Sequence, residues 1–215
     1  MAKKKRRRLF RPIRKAISLM RVATPLLLAS DSPRRRELLA AAGFEFESTS
    51  PRVSEGLDVD LTLRELTAFN AIRKGMSVAR LRPDAVVLAA DTLVALDDEI
   101  IGKPADLDHA AKILRRLSGR VHEVCSAVCI CHLASIRSIS FHEISRVRFH
   151  RLNREKIDNY LAQVNPLDKA GAYAAQGGSA TIIARIEGSF SNVVGLPMEK
   201  TVAALAAFGI EPKFA

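Results

Sequence analysis

A chain of 215 residues, 48% hydrophobic and 27% charged, can fill one good core or two small lobes, and its balance is globular rather than disordered or fibrous. Aromatic residues make up 5% and Trp is absent, which sets aside aromatic stacking as the main binding device. The net charge of +11 suggests a nucleic-acid binder, but ten basic residues and no acid fall in residues 1–21, leaving 24 basic against 23 acidic residues over 22–215.

The division expected is therefore a basic extension over 1–21, disordered because like charges repel, and a folded domain over 22–215. The extension is either dispensable or an adhesive for nucleic acid or an anionic membrane. The apolar run Leu26-Leu27-Leu28-Ala29 is too short for a secretory signal, and no run reaches the ~18 residues of a membrane span. A cytoplasmic location follows as the expectation. Cys125, Cys129 and Cys131 sit in an apolar stretch with no second ligand cluster, so they read as buried reduced thiols rather than a zinc site.

From residue 26 the pattern alternates short apolar runs with helical periods. Residues 26–30 form a strand. Residues 33–42 form a helix, with Ser32 as N-cap, Pro33 in the first turn and Gly43 as the stop. A strand over 44–49 and a helix over 63–80 follow. The continuous apolar run 85–90 reads as a buried central strand, and 93–96 with 99–101 as a hairpin around Asp97-Asp98. A helix from Leu107 ends at Gly119. Long strands over 121–133 and 136–149, a helix over 154–163, a strand over 181–186 and a helix over 198–208 complete the chain. This order predicts an α/β fold with a mixed, twisted sheet and helices on both faces.

Five segments carry the polar residues that need explaining. Ser30-Asp31-Ser32-Pro33-Arg34-Arg35-Arg36 leaves a strand and opens a helix, where free N–H groups, hydroxyls and guanidiniums favour phosphate. Asp91 and Thr92 directly follow the apolar strand, and a carboxylate there needs a metal or a basic neighbour. Lys103 projects from the rigid loop Gly102-Lys103-Pro104 as a point charge. The Gly-rich loop from Asn165 to Gly178 carries Asp168, Lys169, Tyr173 and Gln176. The turn from Glu187 to Pro197 is expected to pack beneath the site.

In this order the segments resemble the Maf family of nucleotide pyrophosphatases. The matching pieces are Leu28-Ala29-Ser30-Asp31-Ser32-Pro33-Arg34-Arg35, Ala90-Asp91-Thr92, Gly102-Lys103-Pro104, Asp168-Lys169-Ala170-Gly171-Ala172-Tyr173, Gln176-Gly177 and Val194-Gly195-Leu196-Pro197. The resemblance spans roughly 24–208. It implies two lobes around a deep cleft, a homodimer, and cleavage between the α and β phosphates with a divalent cation, Mg²⁺ or Mn²⁺. By the same resemblance Asp91 is the proton acceptor and Glu55 a polar cleft residue, and the two carboxylates are expected to hold the metal. Arg34, Thr92 and Gln176 match positions of base choice, and Ser30, Ser32, Arg35, Lys74, Lys103 and Lys169, together with Arg34 itself, are expected around the phosphates. The Asp-Lys-Ala-Gly-Ala-Tyr segment and Gln176 favour the dTTP/UTP-type branch, although Ala174-Ala175 stands where that branch commonly has Gly-Ile. The alternatives are a pyrophosphatase for modified nucleotides such as 7-methyl-GTP, and a nucleic-acid or membrane module acting through the basic extension.

Overall fold

Eleven consecutive residues, Val86–Leu96, form a single strand, β3, on which the sheet is organised. A computed structural model describes residues 24–54 and 60–213. The expected basic extension and Glu55 lie outside the described residues.

The elements in order are β1 (Leu26–Ala29), α1 (Pro33–Ala41), β2 (Glu47–Thr49), α2 (Leu63–Ala79), β3, β4 (Glu99–Ile101), α3 (Leu107–Leu117), β5 (Val121–His132), β6 (Arg137–Phe149), α4 (Arg154–Gln163), β7 (Ile183–Glu187), α5 (Phe190–Val194) and α6 (Met198–Ala206). The sheet runs β2-β1-β3-β5-β6-β7, with β4 also on β3. The pairs β1–β2 and β1–β3 are parallel, and the rest are antiparallel. The mixed α/β architecture is the one expected.

Alternation along β3 sorts the core. Val87 and Ala89 face α2, packing with Ala71, Val78, Cys129 and Cys131. Val86, Leu88 and Ala90 face the other way, against Leu39 of α1 and Leu205 of α6. A second core joins the far ends of β3, β5 and β6 to α3 and α4, through Leu96, Leu114, Phe149, Ile157 and Tyr160. The two lobes follow from these separate cores. All three thiols are free and buried, and burial, the largest influence, pushes Cys125 up to about 11.

Several boundaries differ from expectation for local reasons. The runs 85–90 and 93–96 are one strand, because β5 pairs with it continuously from Val87 to Ala95, through Asp91 and Thr92. Strand β2 keeps only the end of the predicted 44–49 run. Phe44 and Phe46 turn instead onto the core beneath α1. Ser32 is the N-cap of α1 by position, but its side chain makes no cap bond. Residues 190–194, expected as part of a turn, form α5, capped by the Ser189 hydroxyl on Asn192 N–H. The last strand begins at Ile183, after a 3₁₀ turn over Ser179–Thr181.

In the second core His122 is buried, with Nε2 2.7 Å from the Tyr173 hydroxyl. Burial lowers its pKa from 6.5 to about 4. The folded protein therefore resists a proton that the unfolded chain accepts near pH 6.5. Stability from the neutral imidazole is fully present above that pH and is lost as pH falls toward 4, at about 1.4 kcal/mol per unit. Urea titrations at pH 7 and pH 5 should show this loss, and His122→Gln should remove most of it. An unchanged pH slope in the variant would show that other groups carry it.

Candidate active site

The sheet has a gap beside β3. Strand β1 pairs with it only through Ala29↔Ala89, and β4 only from Val94↔Ile101 onward. Residues 90–93 thus have a strand partner on the β5 side alone. Ser30 follows directly on β1, and Gly102-Lys103 follows directly on β4, so both chains leave the sheet at this gap. The ends of neighbouring strands that part company are where α/β sheets form ligand crevices.

A cavity of about 550 Å³ fills the gap. Asp91, Thr92, Ser30, Ser32, Arg34, Arg35, Lys74, Lys103 and Lys169 all line it. Gln176 does not. It is half-buried beyond Ala174 and Ala175, which do line it. The sequence also passed over Arg52, which lines the cavity at a φ of 46°, a conformation uncommon for a residue with a side chain.

Asp91 is in the middle of a central strand, not at a sheet edge or a strand end as its sequence setting suggested. The apolar run before it ends at Ala90, yet β5 carries the ladder on. Its side chain is 4% exposed, and Lys74 Nζ donates to its Oδ1 at 2.6 Å. Asn70 Nδ2 donates to Oδ2 at 3.2 Å. Both partners come from α2, one turn apart on the face that packs on the sheet. Gly75 lets that face come close. A Cβ there would lie 3.4 Å from both Ala89 Cβ and Cys129 Sγ. The ammonium and the amide thus offset the cost of burying the carboxylate. Lys74 was expected among the phosphate ligands, and it meets the cavity as the partner of Asp91. Asn70 was missed. Its spacing of four from Lys74 was the one available signal.

Thr92 points to the opposite face. Its Oγ1 accepts from Arg35 Nη2 at 2.9 Å and lies 2.8 Å from Ser126 Oγ, the residue directly across on β5. Arg35 is buried. Its Nε donates to the Gly195 carbonyl at 2.8 Å and its Nη1 to Ser30 Oγ at 3.3 Å. This one guanidinium ties α1, β3 and the turn after α5 together. The turn does pack beneath the site: Asn192, fully buried, accepts from Ser126 N–H and donates to Val124 O and Ser145 Oγ.

Arg34 projects from α1 and donates through Nη1 to Asp168 Oδ2 at 2.9 Å. Lys169 Nζ donates to Asp168 Oδ1 at 2.5 Å and to the Asn165 carbonyl at 2.6 Å. Burial works to raise the Asp168 carboxyl, but the hydrogen bonds from Lys169 and Arg34 outweigh it and hold it below its ordinary range. Gly171 N–H donates to the Gly102 carbonyl, which joins this loop to the one bearing Lys103.

Fold and site together define an α/β protein of two lobes, whose cleft surrounds one buried carboxylate with cationic side chains. The chain belongs to the Maf family: the model of the Maf-like protein matches residues 25–208. A Bacillus pumilus relative named dTTP/UTP pyrophosphatase is 42% identical over 187 residues, 87% of this chain and 98% of that protein. Relatives of the same name from Symbiobacterium thermophilum and Aquifex aeolicus are each 45% identical, over 86% and 81% of this chain and 94% and 90% of theirs. Among solved structures, that of the Staphylococcus aureus Ham1 protein has a TM-score of 0.49 at 15% identity, over 86% of this chain and all of that one.

Proposed function

We propose that this chain hydrolyses dTTP and UTP to the nucleoside monophosphate and pyrophosphate. The observation that carries the reading is the shared cavity, in which Asp91 and the cations Arg34, Lys103 and Lys169 meet. Relatives named for this activity, matched over most of their length, support it.

Asp91 orients a water and takes its proton as the water oxygen bonds to the α-phosphorus. The bond from that phosphorus to the α–β bridging oxygen breaks, and the bridging oxygen leaves with pyrophosphate. Catalysis of this kind is largely positioning and charge compensation. Arg34, Lys103 and Lys169 compensate the phosphates, while Arg35 holds Ser30 and Thr92 in place. Val94, Val124 and Val193 offer an apolar wall to the base.

Among the described residues no group of three His, Cys, Asp or Glu could enclose a metal. One carboxylate, Asp91, nonetheless suits Mg²⁺ or Mn²⁺ carried in on the substrate, since such ions use one or two carboxylates and complete their shell with phosphate oxygens and water. Bound there, the ion would neutralise phosphate charge and acidify the attacking water. No helix among the described residues is long and apolar enough to cross a membrane.

A panel of pyrimidine and purine triphosphates together with 7-methyl-GTP tests the reading, with products resolved as mono- or diphosphate. dTTP and UTP should be the best substrates, with one pyrophosphate released per monophosphate. Fastest turnover of 7-methyl-GTP, or release of diphosphate and inorganic phosphate, would overturn it.

A further inference from the structure

The loop after α4 brings a carboxylate onto the cations of the cleft. Asp168 bonds Arg34, 134 residues away on α1, and Lys169 beside it. The Asp168 side chain is 45% exposed and that of Arg34 20%. A pair so open to solvent adds little to stability. Its chief effect is on the two cations themselves, which are already occupied by an anion when no nucleotide is bound.

We propose that Asp168 is an intramolecular competitor for the phosphate-binding cations Arg34 and Lys169, holding them in the empty cleft and reclaiming them as pyrophosphate leaves. The proposal rests on the function assigned above. Carboxylate and phosphate oxygens make the same charge-assisted bonds to guanidinium and ammonium, so each can replace the other. The tethered carboxylate acts at a high effective concentration, whatever the solution contains. A triphosphate displaces it with the help of contacts made by the whole nucleotide. After cleavage pyrophosphate has lost the contacts of the nucleoside, and Asp168 competes with it on better terms. Asp168 acts through Arg34 and Lys169, the two cations its carboxylate bonds. Its consequence is weaker product binding and faster product release, a step that often limits turnover.

Calorimetry on the full chain tests this, with sodium pyrophosphate and with a dTTP analogue bridged by carbon between the α and β phosphorus atoms. The proteins compared are wild type, Asp168→Asn, Asp168→Ser and Asp31→Asn. Asp31 lines the same cavity, but its carboxylate accepts from the Ser50 hydroxyl at 2.9 Å. Its replacement removes the same charge and releases neither Arg34 nor Lys169. Both Asp168 variants should bind pyrophosphate about tenfold tighter, with inhibition of turnover by pyrophosphate rising in parallel. Asp31→Asn should tighten binding less than about threefold, as expected of a screened charge. Equal tightening by Asp31→Asn, or no tightening by the Asp168 variants, overturns the proposal. Failure of both Asp168 variants to fold overturns it too, since Asp168 would then be a structural tie. Failure of the wild type to bind the analogue would instead count against the assigned function.

Discussion

Asp91→Asn should lower turnover about 100- to 10,000-fold, the range for removing a general base. The same change should also destabilise the fold. Asp91 and Lys74 are 4% and 7% exposed, and the bond between them is 2.6 Å long. Removing one partner of a buried pair takes away the ion pair that offsets the burial of the other charge, at a cost of about 3 kcal/mol or more. The two effects separate in a double variant. Asp91→Asn combined with Lys74→Met removes both charges, and apolar replacement of a buried pair is often neutral. That protein should regain most of the lost stability in urea and none of the lost turnover. Wild-type turnover in a folded Asp91→Asn protein would remove Asp91 from the catalytic role. An unchanged urea midpoint would mean that groups other than Asp91 compensate Lys74.

Arg35→Met should cost about 2–4 kcal/mol, because the Gly195 carbonyl and the hydroxyls of Ser30 and Thr92 each lose a charge-assisted bond near the cleft. Arg35→Lys is the more informative change. It keeps the charge, but a single ammonium cannot reproduce three bonds made from three nitrogens of a planar fork. We expect it to lose about half that stability and about 100-fold in kcat, through misplacement of the helix start that carries Ser30 and Arg34. Urea unfolding and steady-state rates of both variants check this. Full activity in Arg35→Lys would show that the positive charge alone is what the site needs.

Much of the fold was legible because its signals are local. The 3.6-residue period marked α3 and α4, and the helix over Arg154–Gln163 ends where predicted. The unbroken apolar run marked β3 as central, since a strand covered on both faces shows no alternation. Where the signal stopped being local, the reading slipped. Nothing at Asp91 and Thr92 shows that β5 pairs through them, so one strand appeared as two. The amphipathic period cannot reveal a helix as short as α5, which exists because Ser189 caps it and Asn192 is bonded to the central strand β5 beneath it.

The ordered motifs by themselves determined the family, the chemical types at the cleft and Asp91 as its central carboxylate, because each is a property of residue type and position along the chain. Only the tertiary structure decided what each group touches. It turned Lys74 and Asn70 onto Asp91, spent the Arg35 guanidinium on Gly195, Ser30 and Thr92, set Asp168 against Arg34 and left Gln176 outside the cavity lining. The physical reason is that a hydrogen bond between groups 134 residues apart leaves no trace in the neighbourhood of either. It is set by the gap between β1 and β4, which exists only once the sheet has formed.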